Sequence, residues 1–351
     1  WILGLIIKED KIMMKYIYQI SLFLLMLSIA CVDTDQDEHY DESELLMLLD
    51  EDEAAGLDGF GDGGLMDMDY DSGLEYEGLP RILGDTLGYG EGYRIRFGRQ
   101  ITDRERTVDF TVDGDTAIGV VNYTVSGVFM AQAIDSSMEV IDSIGFSKDF
   151  NSTMTRKVKY ARIDNSNNPD GYSWRIIALT PLIGGSGDKV SITSVEVYNV
   201  DLNANPEGIA VAGDLLYSFT SDEIGDLFID RETLPTFTSF DAVIAKVSIE
   251  NNGPEYTIDS VGVGEWVVLQ YGRSVAQRGR RRLNDHGISI DSDANDNVHT
   301  GFWRVHGPGA GHNSHVFRSF FSTIDLATLF TEDGGYNSVT WSIPYRSQRP
   351  E

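Results

Sequence analysis

The sequence predicts a mainly β protein, and three stretches of the chain carry that prediction. Val108, Phe110 and Val112 alternate with polar residues, and residues 116–130 are rich in β-branched and aromatic side chains. Farther along, the apolar residues of segment 243–249 again recur at every second position. A period of two is typical of strands that bury one face, so the fold class follows from this alternation.

The negative charge of the chain is concentrated near its N-terminus. The formal net charge is −29, and residues 31–80 hold 18 Asp or Glu and no Lys or Arg. Residues 1–30 contribute +1, so residues 81–351 carry the remaining −12. Because binding to phosphate backbones favours a basic face, this balance argues against nucleic acid as a partner.

The first apolar run predicts export. Residues 1–12 precede any methionine and are interpreted as upstream translation, with the true start at Met13 or Met14. Lys15 then supplies a short positive region, and residues 20–29 are almost wholly apolar. This run is shorter than the roughly 20 residues that a bilayer span needs. Residues 13–30 therefore fit a secretory signal peptide.

The end of this run, LSIAC at residues 27–31, resembles the lipobox of bacterial lipoproteins, with Ser28 at the position where that family has Leu. The resemblance implies that the thiol of Cys31 is lipidated and anchors the mature protein to the cell envelope. Cys31 is the only cysteine, so an internal disulfide is impossible. Val32 replaces the Asp that retains some lipoproteins at the inner membrane, which favours the outer membrane. An ordinary cleaved signal is the alternative.

Residues 31–92 are predicted to form an acidic, Gly-rich tether. Like charges repel each other and glycine is flexible, so both features favour an extended chain. Within the tether, the leucines of residues 45–49 predict one short helix, with Ser43 as its N-cap.

Residues 93–183 are predicted to form a first module. The order is strand, a turn at residues 113–115, a long strand, and further strands at 155–163 and 173–179. Over residues 104–181 this order resembles the β-half of NTF2-like domains. The resemblance implies an α+β module in which a curved sheet surrounds a pocket, although the paired N-terminal helices of that family have no counterpart here. A plain β-sandwich is the alternative.

Residues 189–346 are predicted to form a second module, after a linker at residues 182–189. Strands are predicted at residues 190–197, 243–249, 265–271, 299–305 and 339–345, and a helical turn at 324–330. Short strands at this spacing are typical of a sandwich. The module is similar to an Ig-like β-sandwich without its disulfide.

An Asp-rich segment in the second module is a candidate calcium site. It resembles the Asp-rich turn of some bacterial Ig-like modules. Calcium takes six to eight oxygen ligands, and Asp291, Asp293, Asn295 and Asp296 could supply side-chain oxygens. A β-turn held by Asx hydrogen bonds, without any metal, is the alternative.

Five of the six histidines lie between residues 286 and 315. Because imidazole suits zinc, we take His306, His312 and His315 as candidate zinc ligands. Loop histidines without a shared metal are the alternative.

The run RGRRR at residues 278–282 is a dense cluster of basic residues in an acidic chain. It could meet lipid phosphates, anionic glycans or the protein's own acidic tether. A solvated loop is the interpretation that we favour for this run.

The sequence contains no familiar hydrolase motif, since G-x-S-x-G and H-E-x-x-H are both absent. The first module nevertheless offers Tyr123, Arg156, Tyr160 and Trp174 as candidate pocket residues. We predict a cell-envelope lipoprotein with a non-catalytic binding or structural role and an envelope protein or glycan as partner. The alternatives are an enzyme with its pocket in the NTF2-like half and a metal-capture protein that uses the histidine loop.

Overall fold

The computed structural model describes residues 35–57, 60, 66–75, 94–134, 137, 139–201, 211–253, 257–258, 262–272, 278–330 and 335–350. The helices among them are α1 (Asp35–Glu51) and α2 (Leu326–Phe330). The strands are β1 (Met66–Glu75), β2 (Arg94–Asp113), β3 (Thr116–Ile134), β4 (Val140–Asp164), β5 (Tyr172–Leu179), β6 (Leu182–Ser186), β7 (Val190–Asp201), β8 (Val211–Thr220), β9 (Ile229–Asp230), β10 (Thr236–Thr238), β11 (Ala242–Asn251), β12 (Thr257–Ile258), β13 (Gly262–Val263), β14 (Glu265–Gly272), β15 (Arg278–Leu283), β16 (Val298–Arg304), β17 (Ser314–Asp325) and β18 (Ser338–Gln348). Within these ranges, no helix is both long and apolar enough to cross a membrane.

Most strands belong to one large sheet, whose hydrogen-bonded path runs β1-β2-β3-β4-β6-β18-β17-β14-β15. β5 attaches through β4, β9 through β5 and β10 through β18. A separate four-stranded sheet has the order β16-β11-β7-β8, and β12 pairs with β13. The prediction of a mainly β protein is thereby confirmed.

The β2–β3 hairpin turns where the sequence predicts a turn. Asp113 pairs with Thr116, and Gly114 has φ 57°, a left-handed conformation that favours glycine. β3 runs through Gly127, and the irregular register lies opposite it, in β2. A Cβ atom at Gly127 would lie 2.0 Å from the carbonyl oxygen of Gln100. Glycine therefore permits the close approach of the two backbones at this irregularity.

One face of β3 is buried along almost its whole length, because the odd-numbered residues from 117 to 133 are buried. Their partners on β4, such as Met154, are buried with them. β14 lies across from this surface, since the ring of Phe97 on β2 lies 5.4 Å from the ring of Trp266 on β14. The large sheet thus folds back on itself around an interior, and this interior positions the candidate site.

A second hydrophobic core lies between the four-stranded sheet and the opposite face of β14, β17 and β18. The four-stranded sheet contributes Val195, Val247 and Trp303, and the large sheet contributes Phe321 and Tyr345. Trp303 is fully buried, and its ring lies 6.4 Å from that of Phe321. Two sheets that bury facing rows of side chains in this way form a sandwich-like arrangement.

The prediction of a linker at residues 182–189 is wrong. Leu182–Ser186 forms β6, which pairs with β4 on one side and with β18 on the other. A Cβ atom at Gly184 or Gly185 would lie 2.0 Å from a carbonyl oxygen of a neighbouring strand. The glycines of this segment permit close contacts between strands. The prediction was wrong because a Gly-rich composition is also typical of a flexible linker. The assignment of residues 93–183 and 189–346 to two modules stays a prediction, and the large sheet runs through both.

Two other segments differ from their predictions. The basic run 278–282 lies in β15, an edge strand, rather than in a loop. The guanidinium of Arg282 lies 5.2 Å from the ring of Trp266, so part of the basic run is packed rather than solvated. Helix α1 begins at Asp35, well before the predicted N-cap Ser43. Helix α2 agrees with the helical turn predicted at residues 324–330.

Candidate functional site

Three of the four predicted pocket residues lie on the buried face of β3 and β4. Tyr123, Arg156 and Tyr160 are 6%, 1% and 0% exposed. Tyr123 and Arg156 are diagonal neighbours on adjacent strands, at a spacing that long side chains can bridge. Trp174 is also buried, but it lies opposite Arg162, whose guanidinium is 4.8 Å from the indole ring. The structure therefore groups the first three residues on one face and places Trp174 in a separate cation–π contact.

A segment of the acidic tether covers this face. We call the segment the strap: residues 50–57 together with Phe60. The guanidinium of Arg156 donates through Nη1 to the carbonyl oxygen of Ala54, at 2.5 Å. The hydroxyl of Tyr123 donates to the carbonyl oxygen of Ala55, at 3.1 Å. Ala54 and Ala55 are fully buried. The side chains of the sheet thus hold the strap by its backbone.

Phe60 anchors the far end of the strap. Its carbonyl oxygen accepts a hydrogen bond from Nη2 of Arg104, at 2.7 Å. Its ring is 2% exposed and lies 5.4 Å from the ring of Phe320, with the guanidinium of Arg99 4.3 Å from the ring centre. An aromatic contact and a cation–π contact therefore hold this side chain in the interior.

Asp52 shapes the strap and ties it to the sheet. Its Oδ1 accepts hydrogen bonds from the backbone amides of Ala54, at 2.8 Å, and Ala55, at 3.0 Å. Its Oδ2 lies 3.0 Å from Nη2 of Arg231. Such bonds form an Asx turn, which brings the carbonyl groups that follow it toward the sheet. We call the surface beneath the strap the arginine groove: Arg104, Arg106, Tyr123, Arg156 and Arg231.

Burial shapes the electrostatics of the arginine groove. It lowers the pKa of Arg156 to about 10, because a charged guanidinium loses hydration in the interior. Burial likewise raises the pKa of Tyr160 well above its usual range. At the exposed rim, Arg106 donates a hydrogen bond to the carboxylate of Asp50, at 2.6 Å, and this bond raises the pKa of Arg106. Nε and Nη2 of Arg156 have no hydrogen-bond partner within the described part of the chain.

A small cavity lies beside Phe60, between β2 and β14. We call it the aromatic pocket: Phe97, Phe129, Trp266 and Tyr336, with Arg99, Val268, Gln270 and Ser322 among the other residues that line it. The rings of Phe129 and Tyr336 lie 5.4 Å apart. Its volume is about 50 Å³. Because Arg99 contacts Phe60 and also lines the cavity, the aromatic pocket adjoins the end of the strap.

A buried acid–imidazole cluster that no sequence pattern predicted lies at the start of β14. Nε2 of His299 lies 2.8 Å from Oε1 of Glu265, and these residues are 0% and 1% exposed. The side-chain amide of Asn251 donates to Oε2 of Glu265, at 3.0 Å, and to Oδ1 of Asp325, at 3.4 Å. Burial raises the pKa of Asp325. The available signal was a glutamate and a histidine at the starts of two apolar strands.

The Asp-rich segment forms hydrogen-bonded turns. Oδ2 of Asp291 accepts from the backbone amides of residues 286 and 287, at 2.6 and 2.8 Å. Oδ1 of Asp296 accepts from the backbone amide two residues ahead, at 3.0 Å. Asp293 accepts from the hydroxyl of the preceding serine, and Asn295 has φ 58°. These bonds are the ones that the alternative of an Asx-held turn requires, and calcium binding here stays a prediction.

The three candidate zinc ligands have separate surroundings. The rings of His306 and His315 lie 6.1 and 4.8 Å from the ring of Phe317. Nδ1 of His315 lies 3.4 Å from Oε2 of Glu53, and His312 is exposed. Across the described ranges, no group of three or more His, Cys, Asp or Glu is placed to hold a metal ion.

His306 predicts a dependence of stability on pH. Burial lowers its pKa, so the folded state favours the neutral ring, whereas the unfolded ring titrates near 6.5. The unfolded state therefore binds more protons as pH falls below about 6.5, and the contribution of His306 to stability is lost there. We expect the melting temperature of His306→Phe to fall less than that of the wild type when the pH is lowered from 7.5 to 5.5. His312→Gln, at an exposed site, should show the wild-type loss, and an unchanged loss in His306→Phe would contradict the prediction.

Comparison with known proteins adds no family to these observations. No protein-family model matches the chain, and no curated protein matches it. The proposed function therefore rests on the residues themselves.

Proposed function

We propose that the chain is an exported, lipid-anchored protein of the cell envelope and that it is a non-catalytic binding protein. Its arginine groove accepts an extended acidic peptide, and the chain's own strap is the occupant in cis. The corresponding partner in trans is an envelope protein with an exposed acidic segment. The sharpest support is that Arg156, Tyr123 and Arg104 all donate to main-chain carbonyl groups of the strap.

Donors aimed at carbonyl groups recognise the backbone of a peptide whatever its side chains are. Specificity for an acidic sequence then comes from Asp52, whose carboxylate pairs with Arg231. Bonds between charged groups and planar guanidinium donors are about twice as strong as neutral hydrogen bonds. The rim pair of Asp50 and Arg106 is partly exposed and adds little, because solvent screens such pairs.

Anchoring through Cys31 is supported by the sequence around it. The positive Lys15, the apolar residues 20–29 and the single cysteine fit a lipoprotein signal. Cys31 lies outside the described residues. Val32 supports placement at the outer membrane. The residues between Cys31 and the strap would then connect the lipid to the folded part, because the strap and β1 pack on the sheet.

We also propose the finer fold that the resemblances imply. The long strands β2, β3 and β4, with a buried face around a covered groove, support an NTF2-like origin for residues 93–183. The four-stranded sheet that packs on β14, β17 and β18 supports an Ig-like sandwich for residues 189–346.

A peptide exchange experiment tests the groove. The probe is a fluorescein-labelled peptide of residues 48–62, added to the full chain and to the full-length double variant Asp52→Ala, Phe60→Ala. We expect the double variant to bind the peptide, because its own strap is weakened. The wild type should bind it far less, since a tethered strap competes at an effective concentration of about millimolar.

The control for this experiment is a scrambled peptide of the same composition. Adding Arg156→Met to the double variant should weaken peptide binding about tenfold, because one buried hydrogen bond to Ala54 is lost. Equal binding of the scrambled peptide, or no binding by a double variant with native circular dichroism, would overturn the proposed function.

A further inference from the structure

The aromatic pocket contains a buried hydrogen-bond donor and a buried acceptor that the described protein atoms leave unmatched. Nε1 of Trp266 and Oε1 of Gln270 have no hydrogen-bond partner among the described residues. Their side chains belong to residues that are only 4% and 3% exposed, and both residues line the cavity. Buried polar groups in native proteins are nearly always paired, so each of these two atoms needs a partner beyond the described protein atoms, and a ligand that carries both an acceptor and a donor would supply both.

The walls of the pocket restrict the rest of that ligand. The ring of Phe97 meets the indole of Trp266 edge-on at 5.4 Å, and Phe129 and Tyr336 add two more rings. An apolar group such as a methyl would pack against these rings. At about 10–15 Å³ for each water-sized group, a volume of about 50 Å³ holds roughly four heavy atoms. The buried part of the ligand is therefore small, and the remainder extends through the open side of the cavity.

The charge of the pocket restricts which functional group the ligand can carry. Four rings would suit a quaternary ammonium ion, but the guanidinium of Arg99 lines the same cavity and disfavours a cation. A carboxylate would satisfy the donor of Trp266, yet it carries no hydrogen for the carbonyl oxygen of Gln270. A neutral amide satisfies both groups.

We propose that the aromatic pocket binds an acetamido group, the amide carried by N-acetylated amino sugars and by acetylated lysine. The acetamido oxygen accepts from Nε1 of Trp266, its N–H donates to Oε1 of Gln270, and its methyl packs on Phe97 and Phe129. This site is separate from the peptide contacts of the arginine groove, so the exchange experiment above does not decide it.

Saturation-transfer NMR on the full chain tests the proposal. The probes are N-acetylglucosamine and Nε-acetyl-lysine amide, each matched with its unacetylated form, glucosamine or lysine amide. We expect at least one acetylated probe to bind, with the strongest transfer at its acetyl methyl, and its unacetylated match not to bind. Binding of the sugar alone identifies a glycan source, and binding of the lysine derivative alone identifies a protein source.

Single substitutions connect the signal to the pocket. Gln270→Leu replaces the amide by an apolar side chain of similar volume and removes its acceptor, and Trp266→Phe keeps an aromatic ring and removes its N–H. Each should weaken binding of the acetylated probe about tenfold. Gln132→Leu, on the opposite face of β3, should leave it unchanged. No binding of either acetylated probe, equal binding of the unacetylated forms, or unaltered binding by folded Gln270→Leu and Trp266→Phe would overturn the proposal.

Discussion

Phe60→Ala should release the strap from the interior. The buried ring loses its contacts with Phe320 and Arg99, and replacing a buried Phe by Ala typically costs about 3–5 kcal/mol. A loss of about 3 kcal/mol corresponds to a rise of roughly 150-fold in the population of the undocked strap. The measurement is hydrogen exchange at the backbone amides of Ala54 and Ala55, which bond to Asp52 in the docked strap.

The matched control for this substitution is Phe302→Ala, because the ring of Phe302 is 55% exposed. It should change stability by no more than about 0.5 kcal/mol and leave exchange in the strap unaltered. If exchange at Ala54 and Ala55 stayed at its wild-type rate in Phe60→Ala, the aromatic anchor would not hold the strap, and the proposed binding mode would lose its main apolar contact.

Glu265→Ala should destabilise the whole fold by about 3–5 kcal/mol, because it breaks a buried pair and leaves His299 without its carboxylate partner. The side-chain amide of Asn251 loses an acceptor at the same time. Urea unfolding followed by circular dichroism measures the change. Glu265→Gln keeps an oxygen near His299 and should cost less, so the difference between the two variants separates charge from hydrogen bonding.

Glu250→Ala serves as the control for Glu265→Ala, since Glu250 is an exposed glutamate on β11. We expect a change within about 0.5 kcal/mol for this surface position. A loss in Glu265→Ala as small as that of the control would show that the cluster with His299 contributes little to stability.

Local patterns were sufficient to predict β3, β11 and the turn after Asp113. Alternation and a turn glycine are properties of neighbours in sequence, and they act on the chain before any distant contact forms. Segments whose structure depends on distant partners were predicted less well. The glycines of β6 allow close strand contacts with β4 and β18, and the basic run of β15 packs Arg282 against Trp266. Composition alone favours a linker and a loop at these places.

In the candidate site, too, the sequence predicts the residues that follow local patterns and not those that depend on distant contacts. Tyr123 and Arg156 were predictable as neighbours because both follow the alternation of adjacent long strands. Their occupant was not predictable, because the strap is an acidic segment whose composition indicates a solvated chain. The available clue was the apolar content of residues 54–60 within the acidic run, with Ala54, Ala55, Leu57 and Phe60 close together. Docking depends on contacts with strands far away in sequence, and no local pattern reports them.

If Cys31 carries the lipid proposed above, the docked strap also sets the length of chain that connects this lipid to the folded body. With the strap held, most of this connecting chain is helix α1, whose 17 residues span about 26 Å. With the strap released, residues 52–65 would lengthen this connection as far as β1, which adds a mean reach of about 20 Å and a limit near 50 Å. A partner that displaces the strap would therefore let the body move away from the membrane surface. Occupancy of the groove would then set the distance between the body and the membrane.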